Sequence, residues 1–308
     1  MASLNYKGPS NSPSIYNGQN INYVPYHTPV ARNYQYSFSI QHQLGAGMVV
    51  QAAYVGSHAK NLSFPVDLNQ VPANLIAQSA ATGQSQSLRP YPQFLAINRN
   101  LFNARSNYNS AQLTVTKRFS AGLQFDLNYT WSRMLDDQDS SGWGSRDGGQ
   151  NYQYAYDPRA NYAASNFDLP HMFKGDLTYQ LPFGKGRAYM NRGGILDAVL
   201  GGRQASTLFV LESGRPFTVT VGTNNNSGSL AGKWYPNLVG DPSVANPSVA
   251  QWFNPAAFQI PAKGTFGNTG RNTLRGPGVQ DVDFSLGKNF HSPLSGAKAP
   301  TCSFALMH

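Results

Sequence analysis

The sequence predicts an all-β fold: a partial antiparallel transmembrane β-barrel of about seven long strands joined by long extracellular loops. Three observations predict it. Apolar and polar residues alternate with a period of two in stretch after stretch, which is the side-chain period of a strand. Charged residues make up 12% of the 308 residues, about half the usual share of roughly 25%, while aromatics reach 12%. The connections between the alternating stretches are short and long in turn.

The elements follow in order. Tyr34, Tyr36, Phe38, Ile40 and His42 oppose Gln35, Ser37, Ser39 and Gln41, and the turn Leu44-Gly45-Ala46-Gly47 leads into a strand through Val49 to Val55. A long loop spans 57–107. The next hairpin has Leu113, Val115, Lys117 and Phe119 on one face, then Leu123, Phe125, Leu127, Tyr129 and Trp131 beyond a turn at 120–122. Its other face carries Gln112, Thr114, Thr116 and Arg118, then Gln124, Asp126, Asn128, Thr130 and Ser132. A second long loop spans 134–169. Phe173, Gly175, Leu177, Tyr179 and Leu181 alternate with Lys174, Asp176, Thr178 and Gln180; a link at 182–202 carries one glycine-bounded helical turn. A strand over 204–212, a third long loop over 214–280, and a strand through Val282, Phe284, Leu286 and Lys288 complete the pattern.

Strands of roughly 9 to 12 residues suit a tilted membrane crossing. Every second connection is long, which compact soluble folds rarely tolerate. Outer-membrane barrels instead have short periplasmic turns and long extracellular loops. Aromatics gather at strand ends (Tyr34, Tyr36, Phe119, Tyr129, Trp131, Tyr179 and Phe183), as they do where a membrane meets water.

Composition excludes other classes. The mean hydropathy is −0.40, and no apolar run approaches the roughly 18 to 20 residues of a membrane helix. A barrel survives that test because its lipid-facing residues alternate with polar ones. The net charge of +9 is spread singly, as at Lys117, Lys174, Arg187 and Arg275, without the clustered stripe of a nucleic-acid surface. Cys302 is the only cysteine, so neither an internal disulfide nor a multi-cysteine metal site is expected. The start, Met-Ala-Ser-Leu-Asn-Tyr-Lys, lacks an apolar signal core, which fits a cytosolic protein or an internal piece of an exported precursor.

Catalytic signatures are missing from the sequence. There is no nucleophile elbow, no His-Glu-x-x-His, no Cys-x-x-Cys and no phosphate-binding glycine loop; Glu212 is the sole glutamate and the six histidines are dispersed. The chain is therefore not expected to be an enzyme or to hold a cofactor. Asp137, Asp139 and Ser141 before Gly142 match the first half of a calcium loop, but the position of the closing glutamate holds Gly148. A solvated turn is the expected reading there, as it is for Asn224 to Ser227.

Several stretches carry a resemblance: QAAYVGSHAKNL (51–62), LRPYPQF (88–94), SNYNSAQLTVTKRFSAGLQFDLNYTWSRMLDD (106–137), FDLPHMFKGDLTYQLPFGKGR (167–187), ESGRPFTV (212–219), WFNPAAF (252–258) and GTFGNTGRNTLRGPGVQDVDFSLGKNF (264–290). In this order they resemble the C-terminal barrel region of the Oar-like TonB-dependent receptors, outer-membrane proteins with a carboxypeptidase-regulatory-like domain. The resemblance implies an outer-membrane location and partners in the outer-membrane lipid and, through a plug domain outside this sequence, the TonB complex. It also implies an unidentified extracellular solute, bound by the loops and imported with energy. At GGRQ (201–204) the family typically has an aromatic where Arg203 stands, placing a charge near the membrane interface. Residues 1–290 are then expected to be part of a receptor barrel, and 291–308, which lack alternation, a truncated or frameshifted tail.

Such receptors resemble barrels of about 22 strands, so about seven strands are expected to make an open, curved sheet with two bare edges, aggregation-prone in isolation. Tyr91, Trp143, Tyr152, Tyr154, Trp234 and Trp252 are the candidate substrate-binding residues, suited to stacking on a sugar or peptide. The alternative reading is a secreted or surface β-sandwich that binds glycan without transport, with a two-sided core. A non-functional remnant of a broken reading frame is also compatible with the barrel reading.

Overall fold

A computed structural model of the chain describes residues 13–23, 25–139, 152–191, 194–222, 228–230 and 233–288. Seven long strands dominate it: β1 (Arg32–Leu44), β2 (Met48–Asp67), β3 (Ile97–Ser120), β4 (Leu123–Asp136), β5 (His171–Gln180), β6 (Arg203–Glu212) and β7 (Val279–Lys288). They form one antiparallel meander in which chain neighbours are sheet neighbours. Two short strands join it: Ile21–Tyr23 runs parallel to the start of β3, and Ala163–Ala164 pairs with the end of β4.

The register settles the two-faced pattern. Reading across the sheet, Phe38, Tyr54, Ala111 and Trp131 stand in line; the next lines are Ile40, Ala52, Leu113, Tyr129, Phe173 and Leu211, then His42, Val50, Val115, Leu127, Gly175, Phe209 and Val282. Below them come Leu44, Met48, Lys117, Phe125, Leu177, Thr207 and Phe284, and then Leu123, Tyr179, Ala205 and Leu286. Five rows two residues apart cover about 27 Å along a strand, or about 21 Å upright at a tilt near 40°. That matches an apolar band of about 25 Å. Many of its side chains are exposed, among them Phe38 at 67% and Trp131 at 60%.

The other face is polar where the same strands pair. Gln51, Thr114, Asn128 and Lys174 make one row, and Thr116, Asp126 and Asp176 the next. Thr114 Oγ1 donates to Asn128 Oδ1 at 2.9 Å, Thr116 Oγ1 to Asp126 Oδ2 at 2.7 Å, and Asn128 Nδ2 to Asp126 Oδ1. Val49, Leu208 and Val210 interrupt it without reversing it. One face thus suits hydrocarbon and the other a watery lumen.

The short turns lie at one end. Ala121 and Gly122, with φ of 50° and 80°, join β3 to β4 as a two-residue turn whose twist matches the strands. A Cβ on Gly122 would come within 3.1 Å of Gln180 O, so glycine is needed there twice over. The link between β5 and β6 carries the helix α1 (Ile195–Leu200) between Gly194 and Gly201, as its glycines suggested. Asp197 Oδ1 closes that link by accepting from Lys185 N at 2.8 Å.

Two expectations are corrected. β2 and β3 run to 20 and 24 residues, so the loop expected over 57–107 shrinks to 68–96. Alternation is broken there by register shifts between Ala59 and Leu62 and between Leu62 and Phe64, with Asn61 at a φ of 58°. The sandwich alternative fails as well: among the described residues no second sheet of long strands faces the first. Among the described residues the sheet does not close, and β1 and β7 are its edges. The tail at 291–308 lies outside the described residues.

Arg203 opens β6 opposite Lys288, next to Leu181 and just past the lowest apolar row. Its long side chain therefore has water within reach, which explains how a charge is tolerated there.

Candidate functional site

The buried core lies beyond the membrane rows, among the three long loops. Phe64, Val66, Ala104, Tyr152 and Ala155 form a cluster, with Leu62, Leu68 and Leu101 packed against it. Alternation directed by lipid ends near Tyr54 and Trp131, and the same strands then bury Phe64 and Val66 under a loop. The loops also hold one another. Val71 N donates to Ser229 O at 3.2 Å, Ser79 Oγ to Gly228 O at 2.7 Å, and Tyr235 N to Gln153 Oε1 at 2.9 Å. Tyr154 packs on Phe266 with ring centroids 5.1 Å apart.

Buried arginine–aspartate pairs tie this cap to the strand tops. Arg271 is 2% exposed; it bonds Asp136 Oδ1 and Asp136 O, Asp139 Oδ2 at 2.9 Å, and Asn161 O at 3.3 Å. Arg275 and Arg133 converge on Asp168, which is fully buried and also accepts from Met134 N at 2.6 Å. Arg89 meets Asp67 at 3.2 Å and the carbonyls of Asn69 and Leu95 at 2.9 and 2.6 Å. Where both members are buried, as for Arg271, breaking the pair costs roughly 3 to 5 kcal/mol, because the partner stays buried and charged.

These pairs also answer the calcium half-loop. Asp139 is committed to Arg271 and to Asn166, and Asp137 Oδ2 accepts from Arg105 N at 2.8 Å. Guanidinium and amide groups stand where a cation would have to bind; Ser141 lies outside the described residues. Burial raises the pKa of Asp137, against the opposing bond and charge of Arg105. Asp136, beyond the aromatic row at Trp131, is likewise raised by burial, with Arg271 opposing.

The structure sorts the six candidate aromatics. Tyr152 is 1% exposed: its ring packs on Phe64, its hydroxyl accepts from Asp67 N at 2.7 Å, and burial raises its pKa to about 12. Trp234 is 2% exposed and donates through Nε1 to Thr265 O at 3.0 Å. Trp252 is half-buried and donates to Arg275 O at 2.5 Å. These three side chains pack within the loops and help hold the cap together. Tyr154 is half-buried between Tyr156 and Phe266. Tyr91 is 53% exposed, and Trp143 lies outside the described residues.

Sequence reasoning missed Tyr156, 47% exposed, whose hydroxyl donates to Leu68 O at 2.7 Å. It also missed Asn69, which fixes the Tyr91 turn: Nδ2 donates to Tyr91 O, Phe94 O and Leu95 O, and Oδ1 accepts from Tyr91 N. Two cavities lie beside the pairs. One, of about 330 Å³, is lined by Phe64, Arg105, Asp137, Tyr156, Asp157 and Arg159 among others. The other, of about 460 Å³, lies among Leu62, Asn100, Met134, Asp136, Asp139 and Phe167. Both are lined by more polar and charged residues than apolar ones.

A lipid-facing apolar band, a polar second face, short turns at one end and a packed cap at the other define a barrel of the outer membrane. A family model described as an outer membrane beta barrel domain matches residues 2–298. The chain belongs to that family, and the outer membrane is its location. Comparison with curated proteins gives no match.

Proposed function

We propose that this chain is barrel from a TonB-dependent receptor of the Oar-like kind, whose packed extracellular loops bind a solute that the intact protein imports. One observation carries the reading: the described parts of three long connections, all at one end of the sheet, pack together and enclose two ligand-sized cavities. The ordered motifs shared with that family supply the rest. A sugar or a peptide is the solute class. Exposed phenol faces at Tyr91 and Tyr156 suit stacking, while Asn100, Asn103 and Gln138 around the cavities suit hydrogen bonding.

In the intact receptor a plug domain would occupy the lumen, and TonB would displace it using the inner-membrane proton gradient. The role is binding and passage rather than catalysis. Asp136, Asp139 and Asp168 are held in arginine pairs, so none is available as a general base. The test uses the complete receptor in its host and a panel of labelled oligosaccharides and peptides. Surface retention is expected to survive deletion of TonB while uptake is lost. Tyr91→Ala with Tyr156→Ala should weaken retention. Uptake that continues without TonB would refute the transport reading.

A further inference from the structure

The lipid-facing surface changes chemistry at its extracellular end. Above the row of Phe38, Tyr54, Ala111 and Trp131, the register continues through Tyr36, Gly56, Asn109 and Arg133, then Tyr34, His58 and Asn107. Gly56 has a reason to lack a side chain: a Cβ there would lie 2.1 Å from Cε2 of Tyr36, whose ring crosses it. Tyr36 and Tyr54 both donate to Asn109 Oδ1, at 3.0 and 2.7 Å, which fixes their hydroxyls at one height.

The last row is basic. Arg32 pairs with Lys60; Lys60 follows Ala59, the partner of Ser106, so Arg105 stands beside it just before the bulge at Asn61. Neighbouring strands lie about 4.8 Å apart, which places the three backbones within about 10 Å. Lys60 Nζ lies 5.2 Å from the centre of the Tyr34 ring, and the Arg105 guanidinium 4.2 Å from that of Tyr162. The side chains of Arg105 and Arg133 are 47% and 55% exposed.

The facing acids offset only part of this charge. Asp137 meets Arg105 at 3.7 Å, and Asp168, which Arg275 shares, meets Arg133 at 3.0 Å, while among the described residues no carboxylate lies within 4.0 Å of Arg32 or Lys60. Asp157 is exposed beside Arg105 and shares its cavity with Arg159. At the opposite end of the sheet Lys117 bonds Ala46 O at 3.0 Å and Lys288 bonds Asp197 O at 3.4 Å.

A cationic row directly above a phenol and indole belt sits at the depth of lipid headgroups. We propose that Arg32, Lys60 and Arg105 form a binding site for the phosphate-bearing headgroup of an anionic outer-leaflet lipid. Tyr34, Tyr36 and Trp131 seat the polar backbone and upper acyl chain below it. The proposal rests on the membrane location alone, so it stands or falls independently of transport.

The experiment takes the full chain in detergent micelles and measures, by native mass spectrometry and by thermal stability, its retention of a diphosphorylated glycolipid and of the same lipid after enzymatic dephosphorylation. Preferential retention of the phosphorylated form is expected. Lys60→Gln with Arg105→Gln should weaken that retention about thirtyfold, roughly fivefold per cation. Arg105→Lys should keep most of it, and Lys174→Gln on the lumen face should keep all of it. Equal retention of the two lipids by the unaltered protein overturns the proposal whatever the variants do, as does undiminished retention by the double variant.

Discussion

Arg271→Ala is the perturbation that most directly tests how the loops are held. The side chain is 1% exposed and its partners Asp136 and Asp139 are 4% and 1% exposed, so its loss leaves two carboxylates buried without their cation. The cost is roughly 3 to 5 kcal/mol, which multiplies the open population of the cap between about a hundredfold and a few thousandfold. The sheet below should persist, because its ladders do not pass through Arg271. The sign of the pH dependence follows from Asp136. Burial raises its folded pKa above the ordinary value of 3.8 and Arg271 opposes that rise, so removing Arg271 raises it further. With the folded value above the unfolded one, stability is full below the unfolded pKa and is lost as pH rises through the folded pKa. Acidification should therefore close the variant's cap again. Limited proteolysis of the chain in detergent, read across pH 5 to 8, checks this through cleavage within 213–278. Cleavage equal to the unaltered protein at neutral pH, or cleavage that increases on acidification, would refute the reasoning.

Other expectations follow from single contacts. Leu127→Arg, on the apolar face, should cost about 2 to 4 kcal/mol of stability in lipid, whereas Asn128→Arg on the lumen face should cost far less; refolding midpoints in vesicles compare the two. Tyr152→Phe removes the acceptor for the buried Asp67 N–H and should cost about 1 to 3 kcal/mol by denaturant titration. With its pKa raised from 10.0 to about 12, Tyr152 contributes stability that is complete below about pH 10 and falls by roughly 3 kcal/mol as pH rises through 12, a loss the Phe variant should lack. Gly175→Val should disturb the pairing of β4 and β5, since even a Cβ would lie 2.5 Å from Asp126 O; hydrogen exchange of the β5 amides would rise.

The fold was legible where one solvent governs one face. Along Leu113, Val115, Leu127 and Tyr129 the lipid enforces period two, and the strands fall where the period placed them. Legibility ends where that solvent ends. Past Ala59, bulges reset the alternation and Phe64 and Val66 are buried by Tyr152 and Ala155 instead of by lipid. The packing of the loop aromatics was not legible, for a related reason. Tyr152 meets Asp67, 85 residues away, and Trp234 meets Thr265, 31 residues away; no local pattern separates such anchors from exposed Tyr91.

The pairs made by Arg271 and Arg275 reach further than these anchors, yet a signal for them was present. With charged residues at 12% of the chain, a charge is seldom there for solubility alone. Arg133, Asp136 and Asp137 stand in SRMLDD, Asp168 in FDLPH, and Arg271 and Arg275 in GRNTLRG, so charges of both signs cluster in three short stretches. Those stretches meet in space: Arg271 reaches Asp136 and Arg275 reaches Asp168, across 135 and 107 residues. Lipid-facing residues need only be apolar, so many side chains will serve. A buried ion pair between two loops tolerates few, since replacing either member strands the other. The clasp that positions the cap is therefore the part of the loops in which neither member of a pair can change alone, whereas exposed residues around it, Tyr91 and Tyr156 among them, can change without loosening the fold.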